Sequence, residues 1–267
     1  MNYSWNEQDF LRDAEAHVPI PEEDKPVIRD AEELRALLQS RRAEAGPGEQ
    51  PDFRYTKFRE LDLSGWDLRD LDLRRATFEG CDLRGTDFSC SWMDHVAFYD
   101  NDLRGMKLRN CRARGCSYRF QDMEGIDFSG ANIYASVLED AINQDKVIID
   151  DETKWYRMSC PETGPFVAWK CCTDLRVVML LVPAEAKRCM ATLESGRVSK
   201  AKVLSIKSID ETQSFTWAQS TVDPDFYYEV GKWLEPANGF QEDRWKDSSQ
   251  GIHFFLERQQ CVDYQSK

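Results

Sequence analysis

One imidazole lies near carboxylates in the last third of the chain. His253 stands in an apolar segment with Phe254 and Phe255, and Glu257 follows four residues later. An imidazole paired with Glu257, or with Glu229, could transfer protons as a general acid and base. The apolar context favours the alternative interpretation, a partly buried structural histidine on a strand. We therefore predict no catalytic residue and keep His253 and Glu257 as candidate binding residues.

The nine cysteines could serve as nucleophiles or metal ligands. After residue 155 none of them forms the C-x₂₋₄-C pair that structural zinc prefers, and a cysteine nucleophile would need the fold to bring it beside His253. The chain also contains no P-loop, GxGxxG, GxSxG or HExxH motif. We therefore expect no metal site and no cofactor.

Arginines recur every five residues in the middle of the chain. Arg104, Arg109, Arg114 and Arg119 form the densest group, and further basic residues lie between them. This basic patch could bind an acidic partner or a phosphate. No series of aromatic residues accompanies it, so direct binding of single-stranded nucleic acid is not expected. The alternative is that the arginines form surface ion pairs with neighbouring aspartates, each pair contributing about 0–1 kcal/mol.

These arginines belong to a stretch in which every fifth residue is apolar. A helix repeats every 3.6 residues and a strand every two, so a period of five indicates a repeat architecture. Seventeen of the eighteen positions are bulky, and Ala113 is the exception. The eighteen residues, here called the central residues, are Phe53, Phe58, Leu63, Leu68, Leu73, Phe78, Leu83, Phe88, Met93, Phe98, Leu103, Leu108, Ala113, Tyr118, Met123, Phe128, Ile133 and Leu138.

The positions around each central residue also repeat. Asp precedes nine of the eighteen central residues, a small residue often lies two positions before the central residue, and Gly often lies two positions after it, as in CDLRG (81–85) and IDFSG (126–130). These units resemble the pentapeptide-repeat family, whose pattern is A-(D/N)-L-x-x.

The resemblance implies a mainly β fold, a right-handed quadrilateral β-helix with four pentapeptides in each coil. The central residue and the small residue two before it would point inward, and the glycines would lie at corners that need a positive φ. Cys81, Cys111 and Cys116 would then fill the core, whereas Cys90 would lie at a corner as a lone thiol. About four and a half coils would form a rod about 20 Å long.

The chain divides into four parts. Residues 1–50 are predicted to form an arm, over residues 1–28, and a capping helix that begins near Asp30 and ends before Gly46 and Pro47. Asp30 would cap this helix, and a partner-binding helix is the alternative interpretation. Residues 51–142 are the repeat, residues 143–155 a cap and linker, and residues 156–267 a C-terminal domain.

The C-terminal domain is predicted to be small and α+β. The expected strands cover 166–172, 177–182, 202–209, 226–230 and 252–256, and the expected helices cover 183–195 and 257–264. Segments such as GPFVAWKC (164–171) and GIHFF (251–255) resemble an uncharacterised domain found in bacterial and phage proteins beside pentapeptide repeats. That resemblance implies no known activity.

Charge and targeting signals limit the possible functions. The net charge of −13 disfavours binding to bare nucleic acid, although residues 51–142 are nearly balanced, with 17 acidic and 13 basic residues. No apolar run is long enough to cross a membrane, and the N-terminus lacks a secretory signal. With an odd number of cysteines in no framework spacing, these features predict a cytoplasmic protein with free thiols.

The sequence favours a non-enzymatic interaction protein that blocks or recruits a protein partner. The resemblance suggests that the partner is a host protein assembly that handles nucleic acid, since some pentapeptide-repeat proteins inhibit type II DNA topoisomerases as DNA mimics. A phage anti-defence inhibitor is a further form of the same expectation. Those topoisomerase inhibitors are long, acidic, dimeric rods, whereas this segment is short and rich in arginine. The difference disfavours topoisomerase inhibition and leaves the more general role of an interaction scaffold. The alternative is an enzymatic or small-ligand-binding activity in residues 156–267. A homodimer is also predicted through the end of the rod or the C-terminal domain.

Overall fold

The computed structural model describes residues 20–265, and most of the predicted N-terminal arm lies outside them. The chain is mainly β with few helices. The helices are α1, Ala31–Glu44, and α2, Arg258–Gln265. The strands are Val27–Ile28 (β1), Lys57–Arg59 (β2), Thr77–Glu79 (β3), Ala97–Tyr99 (β4), Phe166–Cys172 (β5), Arg176–Val182 (β6), Arg188–Met190 (β7), Ser195–Val198 (β8), Ala201–Ser208 (β9), Ser214–Phe215 (β10), Trp217–Gln219 (β11), Tyr227–Glu229 (β12), Trp233–Leu234 (β13) and Ile252–Phe255 (β14).

Residues 51–154 form a stack of coils, here called the repeat coil. Residues twenty apart pair in parallel, as Asp62 does with Asp82 and Asp82 with Asp102. Strands β2, β3 and β4 pair in the same register. Four five-residue units therefore complete one coil, and each coil bonds to the next through its backbone.

The inward positions of the repeat coil form one continuous core. All eighteen central residues are at most 2% exposed, which confirms the predicted inward face. Phe58, Phe78, Phe98 and Tyr118 stack in a column, with ring centroids 4.6, 5.6 and 5.3 Å apart. Such stacked rings contribute dispersion energy beyond their apolar area.

The small inward residues add a polar contact between coils. Where such a residue carries a hydroxyl or thiol, it donates to the carbonyl of the central residue 23 positions earlier. Thr86 Oγ1 donates to the Leu63 carbonyl at 2.7 Å, and Cys111 Sγ to the Phe88 carbonyl at 3.0 Å. The predicted core role of Cys81, Cys111 and Cys116 is confirmed by their burial. Their thiols therefore satisfy backbone acceptors instead of providing reactive sites.

Every corner of the repeat coil adopts a left-handed backbone. The residue two after each central residue has φ between 54° and 71° at all eighteen positions. Seven of these residues are glycines, which reach this region without a steric cost. The other eleven carry side chains, so the stacked geometry imposes a conformation that costs each of them free energy.

The aspartate before the central residue stabilises the corner. Asp67 Oδ1 accepts the backbone N–H of Arg69 at 3.2 Å, and the same oxygen of Asp127 accepts that of Ser129 at 3.0 Å. The residue after the central residue is often Arg, and its guanidinium pairs with the carboxylate of the same Asp. At Asp67, the hydrogen bond from the Arg69 side chain lowers the pKa to about 2. Asn132 accepts the Tyr134 N–H in the same way. The repeated Asp is thus a turn residue as well as an ion-pair partner.

Helix α1 lies against the first coil. Asp30 accepts the backbone N–H of Glu33 at 2.8 Å and begins the helix as predicted, and Leu34 and Leu38 are buried. The Arg41 guanidinium lies 4.3 Å from the centre of the Phe53 ring, and Arg42 donates to the carbonyl of Asp67. The helix therefore covers apolar side chains and free carbonyls at the start of the repeat coil.

The C-terminal domain, residues 156–265 as far as they are described, is built on one sheet. Its strand order is β10-β9-β6-β5-β14-β8-β7, with β13 paired to β9 beside it. Strands β11 and β12 form a separate hairpin. The predicted strands at 166–172, 177–182, 202–209, 226–230 and 252–256 are confirmed with small shifts of their ends.

The helix predicted over 183–195 is wrong. That segment holds β7, which pairs with residues 196–198 of β8, and the first residue of β8; Cys189 and Met190 are buried. The Arg188 guanidinium also donates to the carbonyls of Gly164 and Pro183, at 2.8 and 3.1 Å. These strand and side-chain contacts override local helix propensity. Among its described residues the domain has one short helix, so the predicted α+β class overstates its helical content.

The repeat coil and the C-terminal domain share a buried contact. The Ala135 N–H donates to the Thr192 carbonyl at 3.0 Å, and Thr192 Oγ1 donates to the Ser136 carbonyl at 2.6 Å. Trp245 packs beside Tyr156 against the core of the repeat coil, with ring centroids 5.3 Å apart. These bonds fix the position of the domain on the last complete coils.

The corner role of aspartate is testable at Asp127, which is 3% exposed. Asp127→Ala removes the acceptor of the Ser129 N–H, so the free energy of unfolding should fall by about 1–2 kcal/mol. Asp127→Asn keeps an acceptor oxygen at that position, as Asn132 does, and should avoid most of this loss. Urea unfolding measures both variants. Equal losses would show that the Arg109 ion pair, not the turn, is what the carboxylate stabilises.

The Tyr118 hydroxyl provides a second test. It is buried in the repeat coil, where burial raises its pKa, and among the described residues it makes no hydrogen bond of ordinary geometry, although the Cys116 thiol is near enough to interact with it. Tyr118→Phe removes a desolvated polar group and keeps the ring column. We expect the free energy of unfolding to stay unchanged or rise by about 1 kcal/mol. A clear fall in the urea midpoint would mean that the hydroxyl makes a stabilising bond.

Candidate functional site

The four arginines of the predicted basic patch are each paired with a carboxylate. Arg104 Nη2 lies 2.5 Å from Asp102 Oδ2, and Arg109 Nε lies 2.5 Å from Asp127 Oδ2. Arg114 is buried and contacts Asp94 at 2.8 Å, and Arg119 pairs with Glu139. Their charges are therefore largely neutralised within the chain. A binding role for these residues stays a prediction.

A different surface of the repeat coil stands out because it is apolar and exposed. Tyr99, Phe120 and Val137 are 53%, 71% and 36% exposed. They belong to the same side of successive coils, since Ala97, Ser117 and Val137 pair in one register. We call Tyr99, Phe120 and Val137 the aromatic face. The five-residue pattern did not reveal it, because Tyr99 and Phe120 fall at outward positions that no family residue type marks.

Phe120 is unusual because it places an exposed aromatic side chain at a corner of the coil. It lies at a corner with φ of 63°, where the equivalent residues of the other coils are Glu60, Gly80, Asp100 and Asp140. A bulky aromatic residue in the left-handed region is strained, and no burial of its side chain compensates for that strain. Its presence therefore requires an explanation other than the stability of the coil.

The structure does not bring His253 and Glu257 together. His253 Nε2 donates to the Ser249 carbonyl at 2.9 Å, and burial lowers the pKa of its imidazole. The charged neighbours that act on His253 are Lys170, Asp247 and Arg197. Glu257 is exposed, and no hydrogen bond joins its carboxylate to the imidazole among the described residues. The His253–Glu257 pair considered from the sequence is thus absent from the described structure.

His253 instead lines a cavity of about 590 Å³ in the C-terminal domain. Lys170 and Asp247 bring an amine and a carboxyl to the same cavity, and Phe226 and Tyr228 form part of its aromatic wall. Neither Lys170 nor Asp247 was predicted from the sequence as a site residue. The available signal was Lys170 itself, a basic residue in the middle of the apolar strand β5.

Cys171 also lines this cavity, but it is not joined to His253. Its Sγ donates to the Cys261 carbonyl at 3.1 Å, and the Cys261 thiol beside it lowers the pKa of Cys171. Within residues 20–265 no cluster of three His, Cys, Asp or Glu side chains could hold a metal ion. No helix in the described part of the chain has the length and apolar character needed to cross a membrane.

Two family models match the chain. Pentapeptide repeats (8 copies) match residues 52–89, and the Family of unknown function (DUF5758) matches residues 156–261. No curated protein matches the chain.

Solved structures of pentapeptide-repeat proteins also match parts of it. HetL, involved in heterocyst differentiation regulation in Nostoc sp. strain PCC 7120, is 18% identical, with a TM-score of 0.24; the match covers 43% of this chain and 48% of HetL. Rfr23 from Cyanothece 51142 is 18% identical, with a TM-score of 0.20, and the match covers 40% of this chain and 64% of Rfr23. QnrB1, a plasmid-mediated fluoroquinolone resistance protein, is 27% identical, with a TM-score of 0.18; the match covers 34% of this chain and 46% of QnrB1.

This chain thus spans about half the length of HetL and of QnrB1, and about two thirds of that of Rfr23. The family matches agree with the five-residue register of the repeat coil and with the separate sheet that follows it. The chain therefore carries pentapeptide repeats at residues 52–89, followed by a domain at residues 156–261 that matches the family of unknown function DUF5758.

Proposed function

We propose that this chain is a non-enzymatic interaction protein that docks a protein partner on the aromatic face of its repeat coil. In this proposal the repeat coil is a right-handed quadrilateral β-helix capped by α1, and binding blocks or recruits the partner. The observation that carries the proposal is Phe120, an aromatic side chain that is 71% exposed on a strained backbone. Residues retained at a cost to stability are characteristic of functional surfaces.

The chemistry of the aromatic face suits a protein partner. Aromatic side chains are enriched among the residues that dominate binding energy at protein interfaces. Tyr99 and Phe120 lie on adjacent coils, so one partner segment can contact both. Nucleic acid binds poorly to exposed apolar side chains unless cationic residues lie beside them.

The charges around the aromatic face indicate what the partner presents. Arg119 is paired with Glu139, and Lys246 lies 3.0 Å from Asp140, so the nearby cations are already neutralised. Asp100 is exposed beside Tyr99. A complementary surface would therefore present an apolar side chain with a basic group next to it.

The construction of the repeat coil favours binding by a preformed surface. The backbone of each coil bonds to the next, and the core side chains stack without interruption. A side chain on this scaffold loses little conformational freedom when a partner binds, so less of the contact energy is lost to ordering.

Replacing Phe120 separates binding from stability. Phe120→Gly removes the aromatic group and places at this corner the residue that stands at Gly80. We expect partner recovery from host lysate to fall about tenfold or more, whereas the thermal unfolding midpoint does not fall. Quantitative mass spectrometry after pull-down with the full chain measures recovery.

Cys90→Gly is the matched control, since Cys90 is an exposed corner residue with φ of 65° on another column of the coil. It should leave partner recovery unchanged. Equal recovery with wild type and Phe120→Gly would place the binding surface elsewhere. Absence of any partner that depends on Phe120 or Tyr99 would contradict the proposal.

A further inference from the structure

The cavity of the C-terminal domain is formed by segments that are distant in the sequence. Strand β5 contributes Lys170, strand β14 contributes His253 and Phe254, and the turn before β12 contributes Phe226. Strands β5 and β14 pair only at Trp169 and Phe255. The sheet therefore opens beyond that point, and the cavity of about 590 Å³ lies beside the opening.

Lys170 occupies a position where a lysine is costly. Side chains alternate along a strand, so Lys170 shares its face with Ala168 and Cys172, which are at most 1% exposed and belong to the core of the domain. Burial lowers the pKa of the Lys170 amine. No carboxylate of the described residues forms an ion pair with Lys170, and no hydrogen bond is made to its amine there. A half-buried cation without a counter-ion reduces stability unless something else binds it.

Two other polar side chains of the cavity, His253 and Asp247, do not act as the counter-ion of Lys170. Because a carbonyl can only accept, His253 Nε2 carries the proton that it donates to Ser249, and Nδ1 is the acceptor of the neutral ring. Asp247 lies near enough to His253 to interact with its charge, and burial raises the pKa of the Asp247 carboxyl. Neither residue neutralises Lys170 by an ion pair.

The walls of the cavity are rich in aromatic rings. Phe226 and Tyr228 meet edge to face with centroids 5.3 Å apart, and Phe255 and Tyr264 lie 5.5 Å apart. Phe254 and Lys170 both line the cavity. Ligand pockets of this size are mostly apolar, with a few polar groups that orient the ligand. These aromatic walls favour a ligand with a flat ring, and the Lys170 amine favours a ligand whose ring carries a negatively charged group.

We propose that this cavity binds a small aromatic anion, a ring bearing a carboxylate or a phosphate, with its anionic group on Lys170. The ring packs against Phe226, Tyr228 and Phe254. The ligand supplies the counter-ion that neither carboxyl group of the cavity wall, Asp223 or Asp247, provides to Lys170. This site is independent of the aromatic face of the repeat coil. It gives the C-terminal domain a ligand-binding role of its own.

Isothermal titration of the full chain with four probes tests the proposal. Benzoate and phenyl phosphate carry the ring and either anionic group, benzamide carries the ring without charge, and inorganic phosphate carries charge without the ring. We expect at least one of the two aromatic anions to bind, and benzamide and inorganic phosphate to bind about tenfold more weakly or not at all. Failure of both aromatic anions to bind at about 10 mM would overturn the proposal.

Substitutions at Lys170 identify the residue responsible. Lys170→Met keeps the length of the side chain and removes the charge, so affinity for the aromatic anion should fall about tenfold or more. Lys202→Met is the matched control, because Lys202 is a strand lysine of the same sheet that lies over Trp233, outside the cavity. It should bind as the wild type does.

The unliganded variants show whether a loss of affinity reflects binding alone. Lys170→Met should unfold at the same temperature as the wild type or higher, because an unpaired charge has been removed. Lys170→Gln, which is neutral but polar, should lose affinity in the same way and provides a second folded variant. Retention of wild-type affinity by either Lys170 variant would contradict the assignment.

Discussion

The twenty-residue register between coils is the constraint on which the rest of the structure depends. Because each coil must place its N–H and C=O groups opposite those of the next, every fifth residue turns a corner and every central side chain points inward. The left-handed φ at all eighteen corners, the small donors to the previous coil and the aspartates that hold the turns all follow from that register. Helix α1 and the C-terminal domain then pack at its two ends.

The repeat could be predicted from the sequence because its physics is local and periodic. A period of five fits neither helix nor strand, so eighteen positions in phase indicated a repeat architecture, and the resemblance to pentapeptide repeats implied that the central residues point inward. Only one of the two roles of the aspartates could be predicted from the sequence. Their pairing with arginine could be inferred from spacing, whereas their bond to a backbone N–H appears only when the corner geometry is known.

The C-terminal domain was harder to predict because its contacts are long-range. The strands were found from apolar runs, but residues 183–195 pair with neighbours that local propensity cannot identify, and Arg188 holds the segment through distant carbonyls. The cavity was missed for the same reason. Lys170 and Asp247 are 77 residues apart in sequence, and only the divergence of β5 from β14 brings them to one space. Phe120 was missed because exposure, not periodicity, distinguishes it.

The contact between Ala135, Ser136 and Thr192 links the length of the repeat coil to the orientation of the domain. Four five-residue units make one circuit, so adding one unit before residue 135 would rotate every later corner by a quarter of a circuit and carry the domain with it. Adding four units would restore the angle and move the domain along the axis by about 4.8 Å. Variation in chain length within the repeats therefore acts in two ways: multiples of twenty residues adjust distance alone, and other multiples of five change direction.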